Sequence, residues 1–339
     1  MWEFRPHKIP TVNFATNFFK LKSRGYNSEQ EADGLLAEQR KSSGNNGILF
    51  QRCWKIGMSN LIKSLLIIIL ITLLQLAIYA LFFKPIITTW GASKQEVAMT
   101  MAGDNPALTI TSTRAILINA PKSEVWQWLI QLGADRGGFY SYTFIEEAMG
   151  YKTRPQTSTK PEFKTIAVGD VVRGSIDENS SIIPYNFPVL YVKPEDTFVL
   201  ENWGTFLLES MNNHQTRLII RTQEHESSNY WLRAGQYVGV PLHFIMERRT
   251  LMGIKARVEN VQLSPSTDIA WFAGIVLSAL LIYVLIFIGR GLIQSIIIPA
   301  IFSVSWLCTL LLLNPTPVHS IGLLVVMCVY IFIRKINRE

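Results

Sequence analysis

Four long apolar runs stand out from the rest of the chain. The first, residues 61–83, is interrupted only by Lys63 and a few small polar residues. A helix of about 22 residues rising 1.5 Å each reaches roughly 33 Å, enough for the hydrocarbon core of a bilayer. A soluble helix would keep a polar face over that length, and this one has none. Three further runs, at 269–289, 292–313 and 321–333, predict three more crossing helices. The last reaches a full span only by starting near Val318. Pro299, inside the third, is tolerable where neighbouring helices satisfy the carbonyl it frees.

Between the first and second runs the pattern changes. Residues 109–119 alternate, with Ile110, Ser112, Arg114, Ile116 and Ile118 on one side, which predicts a strand. Pro121 and Glu124 mark a helix start, and Val125, Trp126, Leu129, Ile130 and Leu132 give that helix an apolar face. Gly133 and Gly137-Gly138 break it, and 142–149 predicts a second short helix ending at Gly150. Strands are expected at 170–174, 187–192, 197–202, 206–211 and 216–223, with 211–214 connecting the last two. A long helix follows over about 241–260. Phe244, Leu251, Ile254 and Val258 share one of its faces and Leu242, Ile245, Met252 and Ala256 another, while Arg248, Lys255 and Glu259 mark a wet stripe between them. Strand, two helices, antiparallel strands, long helix: this order predicts an α+β domain whose sheet wraps around the final helix.

The chain therefore divides into a polar tail (1–57), an anchor helix (58–84), a globular domain (85–263) and a membrane segment of three helices with a short basic end (264–339). The tail is broken by small polar residues at 42–47 and is expected to be disordered, although Ser28 and Glu31 would suit the capping box of a short helix over 28–41. Met58, directly before the first apolar run, is a second place where translation could begin.

Composition supports a membrane protein, since 49% of residues are hydrophobic and only 17% charged, where soluble domains carry about a quarter. The net charge of +7 changes the picture only through its placement. Arg40, Lys41, Arg52, Lys55 and Lys63 precede or open the first run, Arg290 lies between the second and third, and Arg334, Lys335 and Arg338 follow the fourth. Residues 314–319 carry no Lys or Arg. Basic flanks stay on the cytoplasmic side, so both termini and Arg290 are expected inside and the globular domain outside, on a multi-pass protein of the plasma (inner) membrane. Basicity of this kind reports topology and does not point to nucleic acid. Lys84-Pro85 replaces the small-residue site of a cleaved signal, so the first helix is expected to remain as an anchor. The three cysteines, Cys53, Cys308 and Cys328, lie outside the globular domain, leaving it neither a disulfide nor a Cys-based zinc site.

Several stretches of the domain, taken in order, resemble the SRPBCC superfamily, the START-like or polyketide-cyclase-like helix-grip fold, in a bacterial branch that often carries membrane helices. They are Trp90-Gly91-Ala92-Ser93 with Glu96-Val97 and Gly103-Asp104, Ala120-Pro121 with Val125-Trp126-Gln127-Trp128-Leu129, and Arg136-Gly137-Gly138-Phe139-Tyr140-Ser141-Tyr142. Val168-Gly169-Asp170, Thr216-Arg217-Leu218 and His243-Phe244-Ile245-Met246-Glu247-Arg248-Arg249 complete the set. The resemblance covers roughly residues 89–259, half of the chain. It implies a curved antiparallel sheet around the long helix, with a cavity between them that relatives use for lipids, sterols, polyketides or other apolar molecules.

Candidate chemistry is sparse. His214, His225 and His243 are scattered, and no HExxH, HxH, GxSxG, Walker A or GxGxxG pattern occurs, so neither a metal nor a cofactor is implied. The Arg136-Gly137-Gly138 turn could offer amides to an anion but fits a plain break between helices better. Asn179-Ser180-Ser181 matches a glycosylation acceptor, which matters only in a eukaryotic secretory route. Glu247 is the most informative polar residue, since helical spacing puts it on an apolar face where a carboxylate needs a partner. Arg249, Arg217 or Arg221 are the candidates to supply one. Glu247 reads either as an ion pair locking helix to sheet or as a polar handle in a ligand cavity. Trp126, Tyr140, Tyr142, Trp203, Phe244 and Leu251 are further cavity candidates, each equally able to be plain core.

The leading expectation is a non-enzymatic, membrane-tethered domain that binds a hydrophobic or amphipathic molecule, in the first place a lipid. An enzyme of cyclase or dehydratase type is the alternative, and a partner-contacting membrane protein with a vestigial cavity is a third reading.

Overall fold

In the computed structural model, residues 58–148, 158–179, 185–225 and 228–337 are described. The tail, Cys53 and the glycosylation acceptor beyond Asn179 lie outside the described residues. From Ile67 onward the chain forms one compact unit, and Met58–Leu66 before it is helical.

Four helices are long and apolar enough to cross a membrane: α1 (Met58–Thr88), α6 (Pro265–Ile288), α7 (Ile293–Leu311) and α8 (Pro317–Ile336). They answer the four apolar runs and mark this as a membrane protein. Large aliphatic and aromatic side chains such as Leu81, Phe82, Leu292 and Phe332 stand exposed on them, a surface that water would not tolerate but lipid tails would. Pro299 sits in the first turn of a regular α-helical stretch that follows a π-helical one, Ile293–Ile297, so its missing N–H falls where the hydrogen-bond ladder is already rearranged. α6 packs against both α7 and α8, and Gly274 lets Ser320 of α8 approach to a distance that a side chain at 274 would block. Trp306 of α7 donates its indole N–H to Ile275 O at 2.8 Å, and Arg334 of α8 caps the end of α6 at Ile288 O at 2.7 Å.

Between the first and second of these helices lies an α+β domain. Its elements are α2 (Lys94–Ala98), β1 (Thr109–Ile118), α3 (Lys122–Leu129), α4 (Thr143–Ala148), β2 (Val171–Arg173), β3 (Asn186–Lys193), β4 (Thr197–Leu200), β5 (Gly204–Asn212), β6 (Gln215–Glu224) and α5 (Tyr230–Val258). The six strands form one antiparallel sheet in the order β1-β6-β5-β4-β3-β2. Each strand expected from alternation is present within a few residues of its expected ends.

α5 runs beside β1 in the same direction: Glu247 meets Arg114, Lys255 Nζ donates to Leu117 O, and Glu259 accepts from Asn119 N. Its distal half buries Leu251, Ile254 and Val258 against Val125, Trp126 and Leu129 of α3 and Phe198, Phe206, Leu218 and Ile220 of the sheet. Full burial of each such side chain contributes about 1.5–3 kcal/mol, so this cluster is the main core of the domain. Gly253 is required here because Tyr140 O lies 2.1 Å from where a Cβ would stand.

Two features of α5 differ from expectation. It begins at Tyr230, eleven residues before Pro241, because Asn229 caps it by accepting from the amides of Trp231 and Leu232. An interior proline costs a helix about 3 kcal/mol. Packing offsets this, since Tyr237 sits edge-on to Tyr79 and beneath the Lys84 ammonium, and Phe244 meets Trp90. The second difference is Arg248, assigned to a wet stripe and in fact buried. Its guanidinium donates to the carbonyls of Leu310, Leu311 and Leu313 at the end of α7, at 3.1 Å each. A cation there neutralises the negative end of the helix dipole. The end of α7 covers the stripe at Arg248, and helical periodicity cannot distinguish such a cover from water.

A second core joins the domain to the membrane helices. It contains Phe83 and Ile87 of α1, Tyr142, Phe244 and Ile245, Trp271 and Ile275 of α6, and Leu307 and Leu311 of α7. Tyr142 stacks flat on Trp271 with centroids 5.6 Å apart, and Arg249 pairs with Asp268 in the first turn of α6 at 2.7 Å.

Candidate functional site

A cavity of about 490 Å³ lies between the sheet and the proximal half of α5. From the sheet it is bordered by Thr111, Ser112 and Arg114 of β1, Thr222 and Glu224 of β6, Phe187 of β3, and the β4–β5 turn residues Asn202 and Trp203. The α5 side supplies Gln236, Gly239, Val240, Leu242, His243, Met246, Glu247 and Thr250, and Phe139, Ser141 and Glu146 close the flank. The register of β1 against β6 shifts between Ile110 and Ser112. Such a bulge re-aims side chains, which is why the neighbours Thr111 and Ser112 both reach the cavity.

Its polar end is organised around Glu247. One carboxylate oxygen accepts from Arg114 Nη1 at 2.8 Å, and the other accepts from Thr222 Oγ1 at 3.2 Å and lies 3.4 Å from His243 Nε2. Both charged side chains are 1% exposed. Arg114 also donates Nε–H to Ile87 O near the end of α1 at 2.7 Å and packs on the Phe244 ring. One guanidinium thus joins the sheet, the long helix and the first membrane helix. Ser112 is buried beside it, and its hydroxyl makes no hydrogen bond among the described residues. Phe187, Trp203, Val240, Leu242 and Met246 provide the apolar remainder of the wall.

The partner of Glu247 is therefore Arg114, and none of the three arginines considered from the sequence. Arg249 is held by Asp268. Arg217 and Arg221 occupy the opposite face of β6, where they bind Glu96 and Asp104. Strand alternation decides this: Leu218, Ile220 and Thr222 point towards α5, so Arg217 and Arg221 point away. The same alternation in β1 had Arg114 sharing a side with Ile116 and Ile118, and a lone arginine in an apolar strand face was the signal.

Of the seven cavity candidates, Trp203 and Glu247 border the cavity. Trp126 packs in the main core, edge-on to Phe198, and Leu251 lies in the same core. Tyr140 is buried with its hydroxyl donating to Trp128 O at 3.0 Å. Tyr142 and Phe244 belong to the core shared with the membrane helices. Burial pushes the hydroxyls of Tyr140 and Tyr142 well above the ordinary tyrosine range, so both stay protonated at physiological pH. Arg114, Ser112 and His243 were not singled out for the cavity; His243 stands one helical turn before Glu247, a spacing that puts both on one face.

The Arg136-Gly137-Gly138 turn offers no anion nest, because the Gly137 and Gly138 amides are bonded to Gln131 O and Gly133 O. Among the described residues no group of three or more His, Cys, Asp or Glu could hold a metal ion. The arrangement can instead receive a molecule with an apolar body and one polar end, offering that end a hydroxyl, an imidazole and a neutralised carboxylate. A scan of protein-family models and a search of curated proteins both find no match to this chain.

Proposed function

We propose that this protein is a membrane-tethered binder of an amphipathic small molecule, in the first place a lipid, held between the sheet and α5 in a helix-grip manner. The observation that carries the reading is the cavity itself, with a largely apolar wall and a buried Arg114–Glu247 pair at one end beside the Ser112 hydroxyl, which has no hydrogen bond among the described residues. Its volume falls within the roughly 300–1,000 Å³ of small-molecule sites. Each methylene moved from water contributes about 0.8 kcal/mol. About fifteen of them supply roughly 12 kcal/mol, which leaves micromolar affinity after about 4 kcal/mol is lost to association and ordering. The placement of Lys and Arg beside the spans supports a domain on the outer side of the membrane with both termini in the cytoplasm. The polar end serves recognition and not turnover, since Glu247 is already engaged by Arg114 and Thr222.

The test is native mass spectrometry of the full chain released from mild detergent, with extraction of whatever co-purifies. Gly239→Phe is the informative variant. Gly239 borders the cavity, and a Cβ added there meets nothing within 4 Å, so the ring enters the cavity without disturbing the helix. A stoichiometric amphipathic passenger in the wild type, lost in Gly239→Phe, is the expected result. An empty wild-type chain that takes up a fluorescent phospholipid no better than Gly239→Phe would overturn the reading.

A further inference from the structure

The first two turns of α5 have no counterpart in the sheet. β1 begins at Thr109 and β6 ends at Glu224, opposite one another, and Gln236 Nε2 donates to His225 O just past the end of β6 at 3.2 Å. Residues before Gln236 therefore extend past the end of the sheet. From Tyr237 onward α5 packs on α1. Tyr237 packs edge-on to Tyr79 and under Lys84, and seven residues later Phe244 shares a core with Ile87 and an edge contact with Trp90. The two helices thus advance in the same direction over this stretch. Tracing α5 back six residues from Tyr237 continues it by about 9 Å.

At that level α5 presents Tyr230, Trp231 and Leu232, which are 75%, 79% and 60% exposed, with Arg233 exposed beside them. Tyr230 and Trp231 rest edge-on against each other with centroids 5.7 Å apart. Three large apolar side chains pointing outwards at a helix start would be costly in water, and the Asn229 cap holds them in ordered helix. Tryptophan and tyrosine with a basic neighbour form the composition that settles at the headgroup level of a bilayer.

We propose that Tyr230, Trp231 and Leu232 form an interfacial anchor that inserts into the bilayer crossed by α1. This surface is distinct from the cavity and does not depend on the cavity being filled. Its position next to Gln236 and Gly239 sets the cavity border at the membrane surface. The occupant is lipid because the anchor continues directly from the contact between α5 and a membrane-spanning helix.

The experiment uses the full chain in phosphatidylcholine nanodiscs, with its native cysteines replaced by serine and a bimane attached at Trp231→Cys or, in a second protein, at Leu232→Cys. The same label at Asn213→Cys, on the exposed β5–β6 turn, is the aqueous reference. We expect blue-shifted emission at 231 and 232 and quenching by doxyl-labelled lipid at least about twofold stronger than at 213. Emission at both sites that iodide quenches as readily as at 213 would overturn the proposal. So would shielding from both quenchers, which would mean that protein and not lipid covers the surface.

Discussion

Arg114 and Arg221 sit on neighbouring strands, one on each face of the same sheet, and both are 1% exposed. Arg221 uses its whole fork: Nε donates to Thr113 Oγ1, Nη1 to Met99 O and Asp104 Oδ2, and Nη2 to Glu96 O and Val97 O. It fastens the segment from α2 to Asp104 across the outer face. Arg114 faces α5, binds one carbonyl and one carboxylate, and borders an open cavity. The same side chain thus closes one face of the sheet and furnishes the other. Burial of an arginine identifies neither role; the number of its donors already engaged and the space beside it do. Gly91 belongs to the closed face, where its left-handed φ of 71° and the approach of Ala115 O exclude a side chain.

The contrast can be broken most forcefully at Arg114. Arg114→Met leaves the Glu247 carboxylate buried without its cation and should cost about 3–5 kcal/mol in unfolding of the detergent-solubilised chain. Adding Glu247→Leu should restore most of that loss, whereas the co-purifying molecule should be absent from both variants. On the closed face, Arg221→Leu should cost about 2–3 kcal/mol through its lost charged hydrogen bonds while leaving co-purification unchanged. Arg221→Lys should recover less than half, because one ammonium cannot replace a five-donor fork. Gly239→Ala should move the other way on the open face, raising stability by about 0.5–1 kcal/mol in the same unfolding assay, since the helix gains and nothing is displaced.

The smallest effect concerns pH and again separates the faces. Arg217 hydrogen-bonds Glu96 and holds its carboxyl below the ordinary carboxylate range. The folded chain therefore keeps Glu96 ionised where the unfolded chain has begun to take up a proton. That contribution is complete at neutral pH and is lost as pH falls through the ordinary glutamate range towards the lowered folded value. Glu96→Gln should flatten the fall of Tm below about pH 5, leaving Tm at neutral pH the less sensitive reading.

Much of the architecture was legible in the chain. Length and apolarity marked the four membrane helices, because a bilayer demands about 20 apolar residues and little else. Alternation placed the first strand and strand-like runs between turns placed the other five, and Glu247 was visible as a carboxylate on an apolar helical face. The cavity candidates show where that legibility stops. Trp126 and Leu251 have the composition of a pocket wall and the position of core, and nothing in residue type distinguishes the two. Tyr142 and Phe244 met a third surface, the ends of α6 and α7, that no local pattern announces.

The sequence by itself determined most of the elements and their order, since these follow from periods of 2 and 3.6 residues acting locally. Tertiary structure decided which arginine meets Glu247, that Arg248 caps a membrane helix and that α5 meets α1 through Tyr237. Those outcomes join residues 63 to 158 positions apart. They depend on which face of one element finally lies against another, and a local pattern leaves that undetermined until the whole chain has packed.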